Sequence, residues 1–461
     1  MVDTLRPRPR AVPVEAPQPA AVHDGAAAPP GPANTATATA TAAQEGPDTA
    51  ALRAQTARQL AHWTAATEGL AQPENFASAA AWASLEHRLG LALRSELQRA
   101  VDRLRPKTRA LAGALARART APEVQAVRRG VVAVRRDIQR VETVADFYGD
   151  AVNTRTGQRL AALLRACDYL AVRSMTAVLP RLGQPVPEVL TYIDKGMGAS
   201  ILRAGVRLWD PAAISPVAAI KITRHNLLRP TALIHETGHQ VAFQLGWNEE
   251  LARALHTAAR PGGEDVADAW ARWAQEIAAD AYAFAHTGYA ALAALHDVIA
   301  GPPQAVTTIL VGDPHPPAYL RVLLGAAMCR DWYGSGPWDD MERAWLRSYP
   351  LDDLPTERRD ALRRAVPVIP RLARACLRQS ASAFRGRPLA ELLDPGRVSP
   401  GELAALARRG GPALYTSDYW ADAEPLRILA LGCLRLSLDG PDAQQARAEF
   451  ENWLLALGRK G

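Results

Sequence analysis

The stretch "RPTALIHETGHQVAFQLGW" (residues 229–247) holds two histidines four apart with a glutamate beside the first, an arrangement found nowhere else in the chain. On a helix, positions i and i+4 project from one face, a single turn apart. His235 and His239 could then both reach one tetrahedral Zn2+ at about 2.0–2.1 Å. Glu236 would flank that ion without ligating it, placed to take a proton from an attacking water in metal-assisted hydrolysis. Pro230 suits a first helical turn, and Leu233, Ile234, Val241, Ala242 and Leu245 supply an apolar body. Gly238 is a poor helix former, so its presence points to close packing or to access beside the metal. With 10 His and 21 Glu in 461 residues, chance occurrences of HExxH number on the order of 0.01.

A third ligand should come from elsewhere. "AWARWAQEIAADAYAFAHTG" (269–288) offers Glu276 and Asp280, again four apart, among alanines and aromatic residues. Carboxylates buried in such surroundings are rare unless paired or coordinated. Glu276 would complete a His2Glu set and leave the fourth position to water; Asp280 would accept the N–H of a ligating histidine and fix its tautomer. Glu249, Glu250, Glu264, Asp265 and Asp268 lie in polar or turn-like stretches and suit solvent. Downstream, "GDPHPPAYLRVLL" (312–324) places His315 between prolines just before a helix. Taken alone it reads as a turn histidine; beside a metal it could stabilise an oxyanion.

In order, HETGH, EIAADAYA and HPPAYLR resemble the gluzincin metallopeptidases, and among them the group containing HtpX and the CAAX prenyl proteases. The longer metzincin pattern is excluded, because Ala242 and Leu245 stand where it needs glycine and histidine. The resemblance implies a zincin-like catalytic core with His235, His239 and Glu276 as zinc ligands and Glu236 as base. It implies further that Asp280 orients a ligand, that His315 stabilises the transition state, and that Arg321 makes a local ion pair. It also implies that the strand just before the first active-site helix, here "VAAIKIT" (217–223), binds substrate backbone by edge pairing. The likeness spans residues 229–325, and the membrane helices of that group have no counterpart, so a prenylated membrane substrate is not implied.

The elements that must hold these residues follow from texture along the chain. Residues 1–50 are rich in Ala and Pro, with no aromatic before Trp63, and are expected to form a disordered tail. Residues 51–180 carry helical periodicity, as in Leu85, Leu89, Leu93 and Leu97, with boundaries expected at Pro106 and at "TAPE" (120–123). Gly and Pro break up 188–230, where "TYI", "GVRLW" and "VAAIKIT" are the strand candidates. Helical texture resumes at 231 and continues nearly to the end. The expected class is mainly α with a small β region: an α+β core at 181–350, flanked by all-α regions at 51–180 and 351–461.

Composition narrows function further. No run is long and apolar enough to span a bilayer, and no apolar leader follows the N-terminus. The expectation is a cytoplasmic protein, with non-classical export left open. Cys167, Cys329, Cys376 and Cys433 are far apart and form no CxxC, as for buried free thiols. The net charge of +7 is concentrated in 99–140, where twelve basic residues face Asp102, Glu123 and Asp137, giving that segment +9 and the rest of the chain −2. No nucleic-acid motif accompanies it, and 50 of the 54 basic residues are Arg, so a solvated helix face is expected, compatible with an acidic protein partner. Trp332, Tyr333, Trp338 and Trp345 read as core or interface. The leading expectation is a soluble zinc metallopeptidase acting on peptides or proteins. The alternatives are a helical binding protein with a structural or inactive zinc site, and a basic-surface partner-binding protein.

Overall fold

The apolar periods of the first third fold as long helices. In a computed structural model, which describes residues 46–460 apart from 86, 197–198, 207–214, 311 and 439–442, the chain opens with α1 (Pro47–Gly69), α2 (Ala79–Ala83), α3 (His87–Arg117), α4 (Ala121–Asn153) and α5 (Gln158–Thr176). Most of the expected N-terminal tail lies outside the described residues. Leu89, Leu93 and Leu97 form the buried stripe of α3. The boundary at "TAPE" is a capping box: Thr120 accepts from the Glu123 N–H while the Glu123 carboxylate accepts from the Thr120 N–H. Pro106 is a correction, because α3 runs straight through it. An interior proline costs about 3 kcal/mol, and here Val101 and Leu104 offset it by packing with Leu70, Val134 and Ile138.

Three short strands follow: β1 (Val189–Ile193), β2 (Ser200–Leu202) and β3 (Ala218–Ile222). β1 pairs parallel with β3, Val189 opposite Ala218; β2 pairs antiparallel with β3, Ser200 opposite Lys221. "TYI" and "VAAIKIT" therefore form strands. The described part of "GVRLW" does not: Gly205 lies in a turn, Val206 is in no strand, and 207–209 are outside the described residues. β3 is the central strand, in the order β1-β3-β2, so the expected edge pairing by "VAAIKIT" is also corrected. Both of its edges are occupied, and β1 and β2 are the outer strands.

From there the chain is helical: α6 (Thr231–Leu245), α7 (Trp247–Ala259), α8 (Glu264–Arg272), α9 (Ala274–Thr287), α10 (Tyr289–Ile299), α11 (Pro303–Thr307), α12 (Ala318–Tyr333) and α13 (Pro337–Ser348). Then come α14 (Thr356–Ala365), α15 (Ile369–Arg378), a two-residue ladder of β4 (Ser380–Ala381) and β5 (Arg387–Pro388), α16 (Leu389–Leu392), α17 (Pro400–Gly410), α18 (Asp418–Ala423), α19 (Pro425–Ser437) and α20 (Ala443–Leu457). The protein is mainly α with a small β region. No helix among the described residues is long and apolar enough to cross a membrane. One core runs from Ala162 to Leu457, so helices beyond 350 share it with α6 and α9. Trp338, Trp345 and all four cysteines are buried.

Two close approaches fix the site helices. α6 crosses α9 at Gly238, where a Cβ would stand 2.8 Å from the Ala279 Cα and 3.0 Å from the Tyr282 Cβ. The Tyr282 hydroxyl donates to the Ser174 carbonyl (2.7 Å), and the Ser174 hydroxyl donates to Thr237 Oγ1 (2.8 Å). These bonds tie α5, α6 and α9 together.

Candidate metal centre

α6 carries His235, Glu236 and His239; α9 carries Glu276 in its first turn and Asp280 one turn on. A carboxylate in a first turn meets the partial positive charge of the helix N-terminus. His235 Nε2 lies 3.5 Å from Glu276 Oε2, and His239 Nε2 lies 3.4 Å from Glu276 Oε1. Bonds of about 2.0–2.1 Å to a tetrahedral ion give ligand–ligand edges of about 3.3–3.4 Å. The donor set is two imidazoles and a carboxylate, with one ligand atom from each within 4.8 Å of the others. Two imidazoles and a carboxylate are a donor set that suits a divalent ion such as zinc.

Behind the donors, His235 Nδ1 is 2.9 Å from Asp280 Oδ1. Arg321, on α12, donates to both oxygens of Asp280, at 2.9 Å through Nε and 2.7 Å through Nη2. The local ion pair expected of Arg321 is thus a two-pronged clasp on Asp280, the carboxylate that meets His235 Nδ1. His315 stands at the mouth with its side chain 56% exposed, its Nδ1 2.7 Å from Asp313 Oδ1 and its Nε2 3.6 Å from Glu276 Oε1. Glu236 is 5% exposed and makes no hydrogen bond or ion pair with another described residue. All seven residues singled out in the sequence line one cavity of roughly 470 Å3.

Burial and neighbouring charges set the ionisation of these groups. Burial alone would lower His235, but its contacts with Asp280 and Glu276 outweigh that and hold it at about 10. Burial, reinforced by the charge on His235, brings His239 down to about 3. Burial pushes Glu236 up to about 7, against the pull of His235. For Glu276 burial is outweighed by His235, His239 and Arg321, which bring it down to about 2. Asp280 is held well below the usual carboxylate range: burial opposes this, but Arg321 and His235 prevail.

Sequence reasoning missed the rest of the cavity. Ser200, Ile201 and Arg203 bring the outer strand β2 and its end to the rim, and Asn226 and Gln275 add polar groups. An apolar arm is built by Phe284, Leu292, Leu295, Val298, Leu324 and Met328 from α9, α10 and α12. Their spacing looks like ordinary core periodicity, and no local signal separates a lining residue from a packed one. A second cluster was also unforeseen: His256 Nε2 lies 3.2 Å from Glu264 and 3.3 Å from Asp268. Both carboxylates are more than half exposed, as in an ordinary surface ion pair worth about 0–1 kcal/mol. No family model, curated protein or solved structure matches the chain, so these contacts are what a functional reading rests on.

Proposed function

We propose that this chain is a zinc-dependent peptidase of the gluzincin kind, hydrolysing peptide bonds in the cavity between α6, α9 and α12. The observation that carries the reading is the convergence of His235, His239 and Glu276, with one ligand atom from each within 4.8 Å of the others, beside an unpaired, buried Glu236. A structural metal site has no use for such a carboxylate. A zinc ion held there would polarise the scissile carbonyl and make water more acidic. Glu236 takes the proton from the attacking water and returns it to the leaving amine. Asp280, clasped by Arg321, fixes the His235 ring so that Nε2 faces the centre. His315, turned inward by Asp313, donates to the oxyanion as the carbonyl carbon becomes tetrahedral. An extended substrate adds to the outer edge of β2, and one of its apolar side chains enters the arm between α10 and α12.

Glu236→Gln tests this directly. Peptide-library cleavage by the zinc-loaded protein should fall by a factor of about 10²–10⁴, while metal content per chain stays at the wild-type value. Unchanged turnover in the variant would remove the mechanism.

A further inference from the structure

A second cavity, of roughly 400 Å3, lies where α5, α9, α16 and α19 meet, and it shares no lining residue with the metal centre. Four guanidinium groups border it: Arg173, Arg181, Arg397 and Arg427. Their fixed partners show where charge is left over. Arg427 is buried, held by the Arg397 carbonyl (2.8 Å) and the Glu402 carbonyl (3.3 Å), and it meets Glu424 at 3.3 Å. Glu424 also serves Arg397 (2.9 Å), while the Glu402 carboxylate, outside the lining, approaches Arg427 at 3.6 Å. The other acidic lining residue, Asp394, is engaged in capping the Gly396 N–H (2.8 Å). Among the described residues Arg173 and Arg181 donate only to main-chain carbonyls, Asp422 (2.8 Å) and Leu392 (2.6 Å). Among the described residues neither Arg173 nor Arg181 forms an ion pair, and the four guanidinium groups of the lining outnumber its carboxylates, Asp394 and Glu424, by two. On the buried side sits His286, whose Nε2 has no hydrogen-bond partner among the described residues.

We propose that this pocket binds a small doubly charged oxyanion of the phosphate class. The guanidinium fork matches a phosphate in two-pronged geometry, and an excess of two guanidinium groups over carboxylates matches a dianion. The volume leaves room for a phosphate ester bearing a modest organic group. Arg427, fixed by main-chain bonds, supplies a rigid wall. Arg173 and Arg181, less constrained, close over the ligand.

Calorimetric titration of the full chain with inorganic phosphate, at ionic strength held constant with chloride, tests the site without any recourse to catalysis. Saturable binding is expected. Arg173→Gln with Arg181→Gln should weaken it at least tenfold, and Thr176→Glu, which adds a carboxylate at the rim and removes no arginine, should abolish it. Arg129→Gln on α4 should leave it unchanged. No saturable binding, or equal binding by the double variant, overturns the site; succinate binding as tightly as phosphate overturns the phosphate assignment. Loss of hydrolysis in Glu236→Gln has no bearing on either result.

Discussion

At the scale of single residues, burial decides how each titratable group behaves. His286 is enclosed near the end of α9 against the Tyr282 ring, and burial lowers it to about 3. The charged groups bordering its pocket are Arg173, Arg181, Arg397 and Arg427, with Asp394 and Glu424. Between about 3 and the unfolded value near 6.5, the unfolded chain binds a proton that the folded chain refuses. Stability should therefore fall as pH drops through that window, by at most about 1.4 kcal/mol per unit from this residue. His286→Phe should flatten that part of the melting-temperature profile between pH 6.5 and 4.5; a profile parallel to wild type would show that His286 does not couple to unfolding. Residues of this kind are half legible in a sequence. His235, Glu236 and His239 stand out because i,i+4 spacing encodes a shared face. Glu276 and Asp280 stand out because carboxylates in an apolar helix need a reason. Arg173, Arg181, Arg397 and Arg427 come from three distant segments, and only folding gathers them.

At the scale of elements, the crossing of α6 and α9 holds the donors in register. Gly238 is its closest point, and Gly238→Ala would drive a methyl into the Ala279 backbone. Overpacking of this sort costs about 1–3 kcal/mol. Because the displaced helices carry His239 and Glu276, chelator competition should show weaker zinc retention along with the lower melting temperature. Lower stability with undiminished zinc retention would mean that the crossing does not set the donor spacing. The sequence offered Gly238 as a clue to packing and put the restart of helix at 231, where α6 begins. It misjudged Pro106, since tertiary contacts of Val101 and Leu104 outweigh the local breaking tendency. It also missed "SIL" as a strand, because three residues carry too little alternation to be read.

At the scale of the whole molecule, α1, α3 and α4 form an arm whose longest helices span about 46–50 Å at 1.5 Å per residue. Its basic charge is partly answered by Glu68, Glu96, Asp102 and Asp137. The arm is rooted by a buried contact: Arg155, just after α4, donates to Asp168 of α5 (2.9 Å) and to the Thr191 carbonyl of β1 (2.6 Å), while Asp168 accepts from the Thr191 N–H (2.7 Å). Removing one partner strands a buried charge, at a cost of about 3–5 kcal/mol. Asp168→Ala should lower the urea midpoint accordingly, as followed by circular dichroism; a shift under 1 kcal/mol would mean that the arm is held chiefly by the apolar contacts of α2, α3 and α4 with β1 and β3.

The brevity of β2 has a kinetic corollary. In an antiparallel ladder alternate residues turn their N–H and C=O outward, so the three residues Ser200–Leu202 offer an incoming chain one or two such positions. At about 0.5–1.5 kcal/mol per net hydrogen bond, that edge contributes little discrimination between short and long peptides. For the peptidase activity proposed above, trimming a cleaved peptide to two residues on either side of the cut should leave kcat/KM within about threefold, whereas replacing the side chain proposed to fill the apolar arm by alanine should cost far more. A steep dependence on length would mean that substrate is gripped somewhere other than β2.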